Sequence, residues 1–141
     1  MMDQYSLEAL ARRIARNMGP GSRLYLTGDL GAGKSVFARA ALRELGVRGD
    51  IPSPSFIVDA VYSCGKLVIH HLDLYRLEGD PDELEFYGID EILASDSLVI
   101  VEWADRLNSS LLIEGTRVHI EFSERHDMRE VTVDGRTVAG D

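Results

Sequence analysis

The stretch Arg23-Leu24-Tyr25-Leu26-Thr27-Gly28-Asp29-Leu30-Gly31-Ala32-Gly33-Lys34-Ser35 runs from a strand-like segment straight into the full pattern G-x-x-x-x-G-K-[ST]. The next segment, Ser35–Leu45, reads as a helix, with Val36, Phe37, Ala40, Ala41 and Leu45 supplying an apolar side and Gly46 a C-terminal stop. Strand, glycine loop and helix in that order are the context in which this motif binds phosphate. Each residue type has a physical task. Gly28, Gly31 and Gly33 allow backbone conformations closed to other residues and let N–H groups of Asp29, Leu30 and Ala32 approach phosphate oxygens. The helix start adds positive dipole character, Lys34 can reach β- and γ-phosphates, and the Ser35 hydroxyl suits Mg²⁺. The glycine spacing does not match the dinucleotide pattern G-x-G-x-x-G. A nucleoside triphosphate is therefore expected. No Asn-Lys-x-Asp run supports guanine, so ATP is the expected nucleotide.

A phosphate loop needs a carboxylate that handles metal. Leu98-Val99-Ile100-Val101 is a continuous apolar run of the kind found in a strand buried on both faces, and it delivers Glu102 at its C-terminal end. Glu102 is a candidate to meet Mg²⁺ directly or through water, or to orient a nucleophilic water. In His70-His71-Leu72-Asp73-Leu74-Tyr75-Arg76, a period of two places His71, Asp73 and Tyr75 on one face and Leu72 and Leu74 on the other. Asp73 is thereby a candidate for the same metal and water site. Two histidines without a third convergent ligand read as structural rather than as a transition-metal site. Arg76 either offsets γ-phosphate charge or pairs with the acids after it. Trp103 either lines the nucleotide pocket or packs in the core.

Farther out, Leu7, Leu10, Ala11, Ile14, Ala15 and Met18 form one helical face, with Ser6 as the expected N-cap and Gly19-Pro20-Gly21 as the stop. Ile51–Ser55, containing Pro52 and Pro54, reads as an extended loop. Phe56–Tyr62 and Lys66–Leu74 read as a hairpin around Ser63-Cys64-Gly65. Asp80–Ala94 holds one or two short acidic helices broken near Gly88. Val118–Phe122 and Glu130–Val138 read as a final pair of strands, the second interrupted by an Asp134-Gly135 turn. The expected architecture is a single α/β domain over residues 1–141, a layered P-loop fold with a mainly parallel central sheet flanked by helices, a β-hairpin and C-terminal antiparallel strands.

The 141 residues carry 15 Lys+Arg against 24 Asp+Glu, a net charge of −9. That balance argues against a broad grip on nucleic acid, whose phosphates demand a basic face. The charge is uneven: residues 1–52 hold eight bases and five acids, whereas 73–105 hold eleven acids and one base. The acidic block reads mostly as solvated surface. No apolar run approaches the ~20 residues that span a bilayer. Met1–Met18 shows no signal-peptide core, and the lone Cys64 has no disulfide partner, so a cytoplasmic location is expected.

Taken in order, Gly28–Phe37, Ser53-Pro54-Ser55-Phe56, His71-Leu72-Asp73-Leu74-Tyr75-Arg76-Leu77, Asp82–Glu85 with Gly88, and Val101-Glu102-Trp103-Ala104-Asp105-Arg106 resemble the bacterial TsaE (YjeE-type) ATPase family. The resemblance spans about residues 6–122. It implies a P-loop fold, ATP and Mg²⁺ binding, slow hydrolysis, and association with the TsaB–TsaD heterodimer. TsaD there transfers threonylcarbamoyl to adenosine 37 of tRNAs reading ANN codons, so contact with tRNA is expected to be indirect. By position, the resemblance implies phosphate and Mg²⁺ roles for Lys34 and Ser35, and metal-binding and hydrolytic roles for Asp73 and Glu102. It also implies nucleotide contacts for Val36, Trp103 and Arg106, and a switch-like loop carrying Ser53 and Ser55. Ser35 and Ser55 stand where the family commonly has Thr, and Ala104-Asp105 replaces a more usual Pro-Glu; each hydroxyl survives. Two other functions share the loop: a small-molecule kinase, which the missing Arg-rich lid disfavours, and a nucleotide-gated binding module whose hydrolysis is incidental.

Overall fold

A computed structural model describes residues 1–51, 58–108, 111–112, 114–125 and 127–140. A seven-stranded sheet is built from β1 (Arg23–Gly28), β2 (Asp59–Cys64), β3 (Leu67–Asp73), β4 (Leu98–Glu102), β5 (Thr116–Phe122), β6 (Arg129–Val133) and β7 (Arg136–Thr137), in the spatial order β2-β3-β4-β1-β5-β6-β7. The inner pairings β3·β4, β4·β1 and β1·β5 are parallel, while β2·β3, β5·β6 and β6·β7 are antiparallel. The expected α/β fold with a mainly parallel core is the one found. Helices α1 (Gln4–Ala15), α2 (Lys34–Glu44), α3 (Pro81–Phe86) and α4 (Ile89–Ala94) cover the two faces.

Strand alternation distributes the core. Leu24, Leu26, Leu98 and Ile100 face α1 and α2, where Leu7, Leu10, Ala11, Phe37, Ala41 and Leu42 meet them. Tyr25, Val99 and Val101 face the other way, toward Leu84, Ile89 and Leu93 of α3 and α4. β4 has neighbours on both edges and both faces, so all five of its residues are buried, Glu102 included. Its unbroken apolar run is the physical consequence of that position.

Two boundaries differ from the sequence expectation. The N-cap of α1 is Asp3, whose carboxylate accepts the Ser6 amide at 2.8 Å; Ser6 lies inside the first turn and is buried. The carboxylate, three residues earlier, captures a free helix N–H and starts the helix sooner. The hairpin turn is Gly65-Lys66 rather than Ser63-Cys64-Gly65, because Cys64 pairs directly with Leu67 and Gly65 takes the left-handed conformation a tight loop requires. The hairpin's expected beginning at Phe56 lies outside the described residues. At the C-terminal end, Asp134 and Gly135 both have positive φ, the signature of a two-residue turn, and they join β6 to β7 through the Val133–Arg136 pair. Gly88, also left-handed, separates α3 from α4 as expected.

Arg23 is the exception to apolar burial. Only 3% exposed at the start of β1, it donates to the carbonyls of Ser22, Leu93, Ser95 and Ser97. Leu93 lies in the last turn of α4, where a cation complements the negative end of the helix dipole. Burial alone pushes the guanidinium's pKa down, and the nearby Tyr25 opposes this.

Candidate functional site: a phosphate loop beside two strand-end carboxylates

β1 ends at Gly28, and the chain turns through residues 29–33 into α2. Gly28 adopts φ 133°, and a Cβ there would lie 1.8 Å from the Ile120 carbonyl oxygen of β5. Only glycine fits where the loop leaves the sheet. Gly33, at φ 124°, is the N-cap of α2, and an added Cβ would approach Leu7 of α1 to 2.8 Å. From beyond β5, Arg129 of β6 donates Nε to the Ala32 carbonyl at 2.6 Å and ties the loop to the sheet. That contact joins residues 97 positions apart, and no local signal announces it.

Lys34, 4% exposed, donates Nζ to the carbonyls of Gly28 at 2.6 Å and Asp29 at 2.7 Å. Its ammonium also sits 4.3 Å from the centroid of the Trp103 ring. Burial lowers its pKa, while the surrounding carboxylates of Glu102, Asp105, Asp29 and Asp73 pull it back up. Ser35 donates its hydroxyl to Glu102 Oε1 at 2.9 Å.

The two acids meet because of strand register. Asp73, last in β3, pairs with Glu102, last in β4, and Glu102 pairs with Leu26 of β1. Both carboxylates thereby emerge at the C-terminal edge of the parallel sheet, beside the loop. Asp73 Oδ1 accepts the Tyr75 amide at 2.9 Å. Desolvation raises the Asp73 pKa most, Glu102 raises it further, and the Tyr75 hydrogen bond, His71 and Lys34 oppose the rise. Glu102 Oε2 lies 2.6 Å from Nε2 of His71, which is 0% exposed. His70 points elsewhere, pairing through Nδ1 with Asp59 at 3.0 Å.

A cavity of about 210 Å³ opens among Leu30, Gly31, Gly33, Lys34, Ser35, Val36, Asp73, Tyr75, Arg76, Glu102 and Trp103. Ten of these eleven come from the loop and from the His71–Arg76 and Val101–Arg106 blocks; the eleventh, Val36, is the residue after Ser35. Gly28, Asp29, Ala32 and Arg106, also expected in the site, do not line this space. Gly28 and Asp29 border an adjoining cavity with Thr27, Leu30, Trp103, Asp105 and His119, Ala32 is the fully buried member of the loop, and Arg106 lies 5.4 Å from the Trp103 ring. Trp103 both lines the cavity and packs in the core: it pairs with Tyr75 at 5.1 Å and lies against the α3–α4 side. It does so from a left-handed backbone at φ 58°, which no sequence pattern signals. Ser53 and Ser55 lie outside the described residues.

Among the described residues no group of three or more His, Cys, Asp and Glu forms a metal cage. Mg²⁺ does not ask for one, since it takes one or two carboxylates and leaves its remaining positions to phosphate oxygens and water. The Ser35 hydroxyl with Asp73 and Glu102 is a donor set of that kind.

A parallel sheet whose central strand feeds a glycine loop and helix, with carboxylates at the ends of the next two strands on one side, β4 and β3, defines a P-loop nucleotide-binding domain. Residues 1–131 match the family model for the threonylcarbamoyl adenosine biosynthesis protein TsaE, and the chain belongs to that family. It is 36% identical over 117 residues to the tRNA threonylcarbamoyladenosine biosynthesis protein TsaE of Haemophilus influenzae, covering 83% of this chain and 72% of that protein. It is also 36% identical over 135 residues to the TsaE protein of Streptomyces coelicolor, covering 92% and 90% of the two chains. Among solved structures it superposes on Bacillus subtilis YdiB with a TM-score of 0.67 and 27% identity, covering 94% of this chain and 80% of that one.

Proposed function

We propose that this chain is a single-domain, Mg²⁺-dependent ATPase that binds ATP on residues 28–36 and hydrolyses it slowly to ADP and phosphate. In this reading it works in the cytoplasm, supporting threonylcarbamoyl transfer to adenosine 37 of tRNAs that read ANN codons. The transfer belongs to the TsaB–TsaD heterodimer, and tRNA reaches this subunit only through those partners. The observation that carries the ATPase reading is the convergence of Lys34, Ser35, Asp73 and Glu102 on one cavity beside the glycine loop. Family membership and the names of its relatives support the pathway.

Each group has a task in phosphoryl transfer, where catalysis is mostly positioning and charge stabilisation. The loop amides and the start of α2 hold the phosphate oxygens. Lys34 brings positive charge beside the β- and γ-phosphates, in a buried setting that strengthens its field. Ser35 with one acid of the Asp73–Glu102 pair would hold the cation, which would neutralise charge on the phosphates. The acid of the pair not engaged with the cation orients the attacking water. Trp103 and Tyr75 wall the cavity and limit water access near the γ-phosphate.

The test measures phosphate release by purified protein, alone and with TsaB–TsaD. Turnover is expected to be slow alone, faster with the pair, and at least about 100-fold lower in Lys34→Ala. A pull-down of TsaB–TsaD that strengthens with ATP is the companion result. Lys34→Ala hydrolysing like wild type would overturn the mechanism.

A further inference from the structure

Glu102 is held on both of its oxygens. Oε1 accepts from Ser35 at 2.9 Å, and Oε2 faces His71 Nε2 at 2.6 Å, with the His71 and Glu102 side chains at most 2% exposed. A carboxylate has no proton to give, so the imidazole donates from Nε2. The ring's other nitrogen, Nδ1, is buried and has no partner among the described residues. Packing does not account for that arrangement. Ile69, two residues earlier on the same face of β3, is wholly apolar and fully buried, and an apolar side chain at position 71 would leave no polar nitrogen stranded. What an apolar residue cannot do is donate to Glu102.

The strand geometry explains the reach. Asp73 and Glu102 are register partners at the sheet edge, and His71 stands two residues earlier on the same face of β3. From there its ring approaches the Glu102 oxygen that does not meet Ser35. Asp73 is placed differently: its Oδ1 takes the Tyr75 amide, and the side chain lines the cavity.

We propose that His71 is a positioning residue for hydrolysis: by donating from Nε2 it pins one Glu102 oxygen, aims the other at Ser35, and makes Ser35 and Glu102 one preformed unit at the start of α2. This rests on the ATPase reading above. It assigns a task to a residue that otherwise reads as a core histidine, and it separates the two adjacent histidines, since His70 pairs with Asp59 of β2 instead.

The test compares His71→Leu with His71→Gln in the full chain. The Gln side-chain amide can donate from about the position of Nε2, whereas Leu cannot donate at all. His71→Leu is expected to lower kcat roughly 10–100-fold, as loss of an orienting partner typically does, while the KM for ATP stays within about threefold. His71→Gln is expected to recover most of that loss. A second readout is free of turnover: Mn²⁺ affinity in the presence of ADP, followed by electron paramagnetic resonance. It should weaken by roughly 10-fold or more in the Leu variant and return in the Gln variant. Should His71→Leu fail to fold, His71→Asn replaces it, because its shorter amide retains polarity without reaching Glu102. The proposal is overturned if the variants without a donor at Nε2 match wild type in both readouts, or if Gln is as impaired as they are, which would leave His71 a packing role. If wild type itself shows no turnover, the ATPase reading fails separately and the Mn²⁺ titration alone decides the role of His71.

Discussion

Trp103 offers a perturbation whose sign runs against ordinary expectation. Its backbone sits at φ 58° and ψ 43°, directly between β4 and the short turn of residues 104–106. A left-handed conformation costs an L-residue roughly 1–2 kcal/mol, a cost from which glycine is free. Elsewhere, replacing Ala by Gly loses roughly 0.5–1 kcal/mol through the entropy of the unfolded chain. The difference at position 103 therefore favours Gly over Ala by about 0.5–1 kcal/mol, the reverse of the usual order. Both variants lose the ring's contacts with Tyr75, Lys34 and Arg106. Because Trp103 is only partly buried, that shared loss should be about 2 kcal/mol, below the roughly 3–5 of a full core truncation. Urea denaturation followed by far-ultraviolet circular dichroism measures both quantities. Trp103→Ala proving as stable as Trp103→Gly would refute the strain argument. The chain contains one tryptophan, so its fluorescence in the wild type should respond to added ATP at this site and nowhere else.

Two more outcomes concern buried charge. Arg23→Met removes the donor shared by four carbonyls, and unfolding free energy is expected to drop by about 2–4 kcal/mol while ATP turnover per folded molecule stays unchanged. Turnover survives because Arg23 lies at the opposite end of β1 from Gly28; a loss under about 1 kcal/mol in urea titration would contradict the clamp. At Asp73 the folded-state pKa is raised, chiefly by desolvation, so the folded protein holds that proton more readily than the unfolded chain does. The group favours folding below its ordinary value of 3.8 and loses that contribution as pH rises through the raised value. Asp73→Asn should accordingly melt higher than wild type near pH 7, with the gain disappearing at pH values below 3.8, while kcat falls roughly 10²-fold or more. Melting curves across pH that stay parallel for the two proteins would dispose of that account.

How legible the molecule was depends on the range over which each feature is encoded. The glycine loop could be read locally because its spacing, the strand before it and the helix after it lie within 23 consecutive residues (23–45). β4 was legible for a related reason: burial on both faces leaves an uninterrupted apolar run. The two corrected boundaries were competitions between near neighbours. Asp3 and Ser6 are both capping residue types, and Ser63-Cys64-Gly65 resembles a turn until pairing of Cys64 with Leu67 draws two of its residues into strands. The Arg129 tie to the loop and the Trp103 backbone conformation leave no trace in composition or periodicity.

The sequence alone determined what lies in a row: a loop with Lys34 and Ser35, acids at 73 and 102, and helix and strand periods that sort the faces. Those features depend on covalent neighbours and on local geometry, which do not change when the chain folds. Tertiary structure alone decided which acids face the loop and how they are held. Order β3-β4-β1 brings Asp73, Glu102 and Leu26 into lateral register, so residues separated by tens of positions share one sheet edge. From that register come the Ser35–Glu102–His71 chain of hydrogen bonds and the placement of Arg106 beside Trp103 rather than in the cavity. Strand pairing is a choice among distant partners, made by which packing buries both faces of β4, and no window of sequence contains it.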